Sequence, residues 1–193
     1  MKHKGTQKIE TKRLILRPFK LSDAEHMFKN WANDSNVTKY LTWPPHESAD
    51  LTVKLLTEWI PLYKNADYYQ WCIEFKDISQ AIGSISVVNI SEETEAVEIG
   101  YCIGKAYWNK GITSEALSAL IKFFFDDVGI NRIQAHHDVN NPNSGRVMAK
   151  CGLKYEGTLI QAARNQQGLC DICVYGLIRQ DYDLACKNHR YML

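Results

Sequence analysis

The segment from Glu98 to Leu117 constrains the fold most. Glu98-Ile99-Gly100-Tyr101-Cys102-Ile103 has the make-up of a strand, Lys105 to Gly111 is a short loop, and Thr113-Ser114-Glu115-Ala116-Leu117 opens a long amphipathic helix. A strand that feeds a helix through a glycine-bearing loop aims free backbone N–H groups and the positive end of the helix dipole at one point. A phosphate is the usual occupant of such a point. Gly111 would let that ligand approach the backbone closely. Two common phosphate loops do not fit. A Walker loop needs Gly-Lys before Ser or Thr, whereas the order here is Lys110-Gly111-Ile112-Thr113; a Rossmann fingerprint needs three glycines, and this loop carries one. On this segment alone, an ordinary strand–loop–helix with a structural glycine stays open.

The rest of the chain supplies the layers around that unit. Arg13 to Arg17 alternates like a strand and is stopped by Pro18. Ser22-Asp23 offers a cap for a helix from Ala24 to about Ala32, and Val37 to His46, with Trp43, reads as a loop. A second helix is expected from Ser48 through Trp59. Strands follow at Tyr69–Lys76, Ala81–Ile90 and Glu95–Ile103, joined as an antiparallel meander. The long helix runs to Val128 and stops at Gly129. Arg132–Val139 is a strand, and Asn143 or Ser144 caps a short helix to Lys150. Leu153–Ala162 and Leu169–Ile178 form a hairpin about Asn165 to Gly168. The order β-α-α-β-β-β-α-β-α-β-β predicts a mixed α/β (α+β) arrangement, one sheet with helices on its faces. Nothing divides residues 1–193, so one domain is expected.

Charge and cysteine usage exclude several classes. With 23 basic and 22 acidic residues the net charge is +1, which lacks the basic surplus of a nucleic-acid binder. The basic start at Lys2, Lys4, Lys8, Lys12 and Arg13 is broken by Glu10 and reads as a solvated arm. No stretch approaches the ~18 apolar residues of a membrane span, and the start lacks a signal peptide's apolar run. A soluble, cytoplasmic protein is expected, with a homodimer left open. The 6 cysteines lack a disulfide-like spacing and read as free thiols. Cys170-x-x-Cys173, on a strand, would point to opposite faces, and with no second motif beside it no metal site is expected.

A second stretch, Asn140-Asn141-Pro142-Asn143-Ser144-Gly145-Arg146-Val147-Met148-Ala149-Lys150-Cys151-Gly152-Leu153, follows the next strand. Together the two stretches resemble the acetyl-coenzyme A signature of the GNAT N-acetyltransferases, in the RimJ/RimL-like branch that acetylates ribosomal-protein N-termini. Trp108-x-x-Gly111-x-Thr113 is similar to that family's pyrophosphate loop with two relaxed positions. Asn141-x-x-Ser144 and Lys150-Cys151-Gly152-Leu153 are similar to its later motif. Thr11 to Arg17 and Asp171 to Leu177 extend the likeness over nearly the whole chain.

That resemblance implies a GNAT fold, with a mostly antiparallel seven-stranded sheet splayed between its fourth and fifth strands and about four flanking helices. It implies acetyl-coenzyme A as co-substrate and an amine as acceptor. The pyrophosphate would lie on Trp108, Asn109, Lys110, Gly111, Ile112, Thr113 and Ser114, with Asn141 and Ser144 as further contacts. The pantetheine arm would pair with the splayed strand, and an N–H near Cys102 or Ile103 would face the thioester carbonyl. Ser144 matches the hydroxyl proposed as the acid toward the coenzyme A sulfur, although capping a helix would equally explain it. The glutamate expected as base in RimL-like enzymes aligns with Ala163, so Glu98, acting through water, is the candidate base, with an ordinary outward strand position as the alternative. His136 and His137 face opposite sides of a strand, each readable as structural. Trp43 and Tyr175 are candidate substrate contacts or packing residues. Three functions remain: acetylation of a peptide or protein α-amine, acetylation of a small amine such as an antibiotic, polyamine or amino acid, and a sensor of acyl-coenzyme A without turnover.

Overall fold

The computed structural model describes residues 1–187 of the 193. Its sheet has 8 strands: β1 Ile9–Glu10, β2 Leu14–Arg17, β3 Gln70–Phe75, β4 Gln80–Ser91, β5 Ala96–Ile103, β6 Arg132–Asp138, β7 Lys154–Asn165 and β8 Gly168–Ile178. They lie in the order β1-β2-β3-β4-β5-β6-β8-β7, and every neighbouring pair is antiparallel except β5 and β6. Parallel neighbours require a crossover, and α4 (Ile112–Lys122) supplies it. The eighth strand relative to the sequence reading is β1, whose two residues pair with Ile15 and Leu16 and are too few to show a period.

Helix α1, Ala24–Met27, continues through a wider turn over Phe28–Ala32. Asp23 holds the cap position of α1, as Ser22-Asp23 suggested, but its side chain makes no cap bond to the helix, which follows a tight turn over Leu21–Asp23 capped by Lys20. Asp23 is buried, accepts the Lys20 N–H at 2.7 Å and grips the Arg17 guanidinium through both oxygens. A single turn, α2 (Ser35–Thr38), lies at the edge of the expected loop, held by Asp34 accepting from Asn36 N–H. Helix α3, Ala49–Trp59, starts as expected with Ser48 accepting from Leu51 N–H. Helix α4 runs on through wider turns over Phe123–Val128 and ends at Gly129, whose φ of +78° few other residues adopt without strain. Helix α5, Pro142–Lys150, begins a residue or more before the expected cap, because Pro142 at its first position has no N–H to leave unpaired. Helix α6, Arg179–Lys187, went unread; Tyr182 is its one buried residue, stacked on Phe125 with ring centroids 4.5 Å apart.

Strand alternation divides the core in two. Leu14, Leu16, Trp71, Ile73, Ile82, Ile85, Val97, Ile99, Ile133 and Ala135 face α4, meeting Leu117, Leu120, Ile121 and Phe124. Cys72 and Ala81 face the other way, beneath Phe19, Met27, Trp31 and Leu56 of the α1–α3 layer. Truncating a fully buried aromatic such as Trp31, Trp71 or Phe124 would cost about 3–5 kcal/mol. These layers fix where the loops after β5 and β6 stand.

Candidate functional site

The site starts where two strands part. β5 and β6 share only three rungs, Ala96↔Arg132, Val97↔Ile133 and Glu98↔Gln134; beyond them Ile99–Ile103 and Ala135–Asp138 pair only with their outer neighbours. Gly104 donates its N–H to Ile82 O, so Cys102 and Gly100 also turn their amides toward β4. The amides pointing into the gap are therefore those of Tyr101 and Ile103. This corrects the expectation for Cys102, whose N–H serves the sheet. Its thiol, beside Ser84 Oγ, is pushed up to about 11 by burial and stays protonated at neutral pH. The Ile103 carbonyl in the gap accepts from the Trp108 indole N–H at 2.9 Å, which ties the loop to the strand end.

The loop then turns into α4 through two left-handed residues, Asn109 (φ 58°) and Gly111 (φ 71°). No side chain caps this helix, so the N–H groups of its first turn, Ile112 to Ser114, have no side-chain partner. Around them stand cations. A Cβ built on Gly111 would lie 3.6 Å from Arg13 Nη2 and 3.8 Å from Lys150 Nζ. Arg13 is positioned by Glu115, through Nε at 2.7 Å and its own backbone N–H at 2.8 Å, and by the Lys110 carbonyl at 2.9 Å. Glu115 spends its charge on Arg13 and Thr11 rather than on the loop. The arrangement puts unpaired N–H groups and two cations together on the α4 side of the sheet, where they could hold an anion.

Helix α5 closes the same side. Asn141 sits at its cap position with no side-chain cap bond, and Ser144 occupies the first turn. Tyr101, from the gap, donates to the Ser144 carbonyl at 3.0 Å and lies 3.0 Å from Ser144 Oγ, so the serine hydroxyl is left to donate to the phenol oxygen. Burial pushes the Tyr101 phenol well above its usual range. Gly145 allows α5 this close, because a Cβ there would overlap His137 Nε2 and lie 3.1 Å from Tyr175 OH. His137 is buried, with Nδ1 on the Asp138 carbonyl at 2.8 Å and, among the described residues, no partner for Nε2.

On the opposite face a chain of hydrogen bonds ends at Glu98. Glu156 accepts from Arg132, whose Nε donates to Gln134 Oε1 at 3.2 Å. Gln134 Nε2 donates to Glu98 Oε2 at 3.3 Å, and Glu98 Oε1 meets His136 Nδ1. The hydrogen bond from His136 holds the half-buried Glu98 carboxyl below the usual carboxylate range, against the opposing effect of burial.

Residues 13–154 match the family model described as the acetyltransferase (GNAT) domain, well over half of the chain. The chain belongs to the GNAT acetyltransferases. It is 32% identical over 171 residues to the uncharacterized N-acetyltransferase YoaA of Bacillus subtilis (strain 168), covering 89% of this chain and 96% of that one. It is 27% identical to the ribosomal-protein-serine acetyltransferase of Escherichia coli (strain K12), over 78% of this chain and 80% of that one. Among solved structures, a GNAT-family acetyltransferase from Bacillus anthracis superposes with a TM-score of 0.78 at 26% identity, covering 90% of this chain and 99% of that one.

In this GNAT chain the loop is tied to the gap strand through Trp108 and Ile103, Ser144 meets that strand through Tyr101, and Lys150 of α5 comes close to Gly111. Trp43 and Tyr175 do not share a place. Trp43 packs with His46 against the α1–α3 core, on the face of Cys102, while Tyr175 lies under α5 beside His137 on the other face. Ala163 resumes the β7–β8 pairing opposite Cys170 after a bulge, at the outer edge of the sheet. Arg13 and Lys150 stand at the loop although neither is among the residues expected to bind there. Their signal was present, since both lie in the motifs quoted, but Arg13 was counted with the solvated arm. No helix among the described residues is long and apolar enough to cross a membrane.

Proposed function

We propose that the chain binds acetyl-coenzyme A with its pyrophosphate on the first-turn N–H groups of α4. It transfers the acetyl group to a primary amine, an N-terminal α-amine of a peptide or protein, by direct attack in a ternary complex. The observation that carries the reading is the uncapped start of α4 at Gly111, flanked by Arg13 and Lys150 and opening beside the β5–β6 gap. The cradle fits a phosphate, because a Cβ on Gly111 would stand where the anion must approach.

Acetyl-coenzyme A brings an activated thioester. The residues of the chain do the rest. Tyr101 and Ile103 offer amides toward the thioester carbonyl, and a preorganised N–H aimed at developing oxyanion charge is worth about 3 kcal/mol. Ser144 protonates the departing sulfur. Cys102 is the one thiol on the gap strand, and its raised acidity range argues against an acyl-cysteine and for direct attack. An α-amine, with a reference pKa of about 8, loses its proton far more readily than a lysine at about 10.4, which favours N-terminal acceptors where no strong base stands at Ala163. The likeness to a ribosomal-protein-serine acetyltransferase supports the same acceptor class. A cytoplasmic setting belongs to this reading and suits six free cysteines.

Thermal denaturation with ligands tests the cofactor: acetyl-coenzyme A should raise the midpoint by mass action, with ATP and NAD leaving it unchanged. A shift with ATP and none with acetyl-coenzyme A refutes the reading. Release of coenzyme A in the presence of serine- and alanine-initiated peptides, against N-terminally blocked controls, tests the acceptor.

A further inference from the structure

Glu98 is placed like a base but is poorly made to be one. Both of its oxygens are engaged, by His136 and by Gln134, and the stronger of these hydrogen bonds makes it a weaker proton acceptor. What the carboxylate does instead is decided by the direction of the chain of donors that reaches it. Arg132 can only donate, so the Gln134 atom it meets is the carbonyl oxygen, and the Gln134 amide nitrogen must donate to Glu98. With its carboxyl held below the usual range, Glu98 accepts on both sides, and the proton in its contact with His136 belongs to Nδ1. A neutral imidazole with its proton on Nδ1 carries a lone pair on Nε2. Among the described residues Nε2 of His136 hydrogen-bonds nothing, and the side chain is 39% exposed.

The location fits a proton acceptor. Glu98↔Gln134 is the last rung before β5 and β6 part, and His136 is two residues further along β6, on the same face as Gln134 and at the mouth of the gap. The acetyl group, on the reading above, ends beside Tyr101 and Ile103 in that gap. Its other side is covered by the α1–α3 layer, where Trp43 and His46 stand.

We propose that His136 Nε2 is the general base for the acceptor amine, with Glu98 and Gln134 as positioning residues that fix its tautomer and steady the imidazolium. This rests on the acetyl-transfer reading. As the amine nitrogen bonds to the acetyl carbon, the amine's proton passes to His136 Nε2. The C–S bond then breaks, the Ser144 hydroxyl gives the sulfur its proton, and Ser144 recovers one from solvent while His136 releases one. A carboxylate behind an imidazole plays the same part in hydrolytic triads. The charged groups on this face of the sheet are Glu98 on β5, Arg132 and Asp138 on β6 and Glu156 on β7; Arg132 is paired with Glu156, Asp138 accepts from Asn140 N–H and Asn165 Nδ2, and β8 opposes the histidine with Val174. Glu98, in contact with Nδ1, favours the imidazolium that forms as the proton arrives, and Asp138 adds to it at longer range.

Nitrogen-15 NMR of histidine-labelled protein at pH 8 tests the arrangement without any acceptor. The His136 signals should be those of an Nδ1-protonated ring, and the Nδ1–H resonance should move in Glu98→Gln; an Nε2-protonated His136 overturns the proposal. Kinetics with acetyl-coenzyme A and serine-initiated peptides test the role. His136→Gln should lower kcat/KM by roughly a hundredfold or more near pH 7. Its affinity for acetyl-coenzyme A should be unchanged by calorimetry, and added imidazole should restore part of the rate. His136→Asn serves as a second variant if the first folds poorly. Unchanged kcat/KM and pH profile in a folded variant overturn the proposal. Loss of acetyl-coenzyme A binding by the wild-type protein would instead overturn the acetyl-transfer reading, while the NMR result would still judge the hydrogen-bonded chain.

Discussion

Replacing Gly111 by valine separates the fold from the anion site. In the protein alone the new side chain meets ordinary neighbours, because the Cβ position lies 3.6 Å from Arg13 Nη2 and 3.8 Å from Lys150 Nζ, both at the ends of adjustable chains. The cost to the fold is then the left-handed backbone at φ +71°, about 1–2 kcal/mol for a residue with a Cβ. Out of a total stability of about 5–15 kcal/mol, the chain survives that loss. The ligand does not escape so lightly. The methyl groups fill the space between the two cations and keep a phosphate from the first-turn N–H groups. Two charge-assisted hydrogen bonds lost at about 1.5–3 kcal/mol each give about 3–6 kcal/mol, a factor of about 10² to 10⁴ in Kd. Urea titrations with and without acetyl-coenzyme A read both quantities at once. At about a hundred times its Kd the ligand should add about 2.7 kcal/mol to the wild-type protein and almost nothing to the variant at the same concentration. Gly111→Ala should fall between them. A valine variant that is destabilised as expected yet gains the full increment would show that the pyrophosphate binds elsewhere.

Gly145→Ala sets a helix-propensity gain of about 1 kcal/mol against overpacking of His137 at about 1–3 kcal/mol. Chemical denaturation should therefore show a net loss, and a clear gain would mean that α5 lifts away freely. Glu115→Gln should cost about 2 kcal/mol at neutral pH, because hydrogen bonds from Thr11 and Arg13 outweigh burial and lower the carboxyl's range. Since its folded pKa is depressed, that contribution is present above its ordinary value of 4.5 and lost as pH falls through the folded value. The gap between variant and wild type should thus close in acid; a constant difference down to pH 3 would refute the linkage.

Much of this was legible because the signals were local. A glycine before an apolar-periodic helix marked the α4 loop, and Ser48 and Gly129 marked ends that the structure keeps. What escaped depends on contacts distant in sequence. Arg13 reaches the loop only because β2 lies against α4, 97 residues separating it from the Lys110 carbonyl it holds. Nothing local distinguishes Arg13 from Lys12. Asp23 looked like a helix cap and serves as a buried clamp on Arg17, a role fixed by Glu74 on the neighbouring strand. Strand alternation correctly separated His136 from His137, but the partners that give them different fates lie on β5 and α5.

Those fates bear on why the parallel pairing stops after three rungs. Tyr101 and Ser144 stand on the α4–α5 side of the sheet, while Glu98 and His136 stand on the other. A continuous sheet would keep the two groups apart, since its paired backbones leave no room for a substrate to touch both faces. Three rungs at about 3.3 Å each hold β5 to β6 for only about 10 Å. Past that point the strands separate, and on the proposed reading a thioester in the gap would meet a hydroxyl from one side and an imidazole from the other. Acetyl transfer has two protons to move, one off the attacking nitrogen and one onto the departing sulfur. Groups on opposite faces can hold different protonation states without titrating as one coupled pair. The dependence of kcat/KM on pH should then show an acid limb that moves in Glu98→Gln and stays in place in Ser144→Ala. A limb that moved equally in both would mean that one shared group handles both protons, and the division between the faces would be wrong.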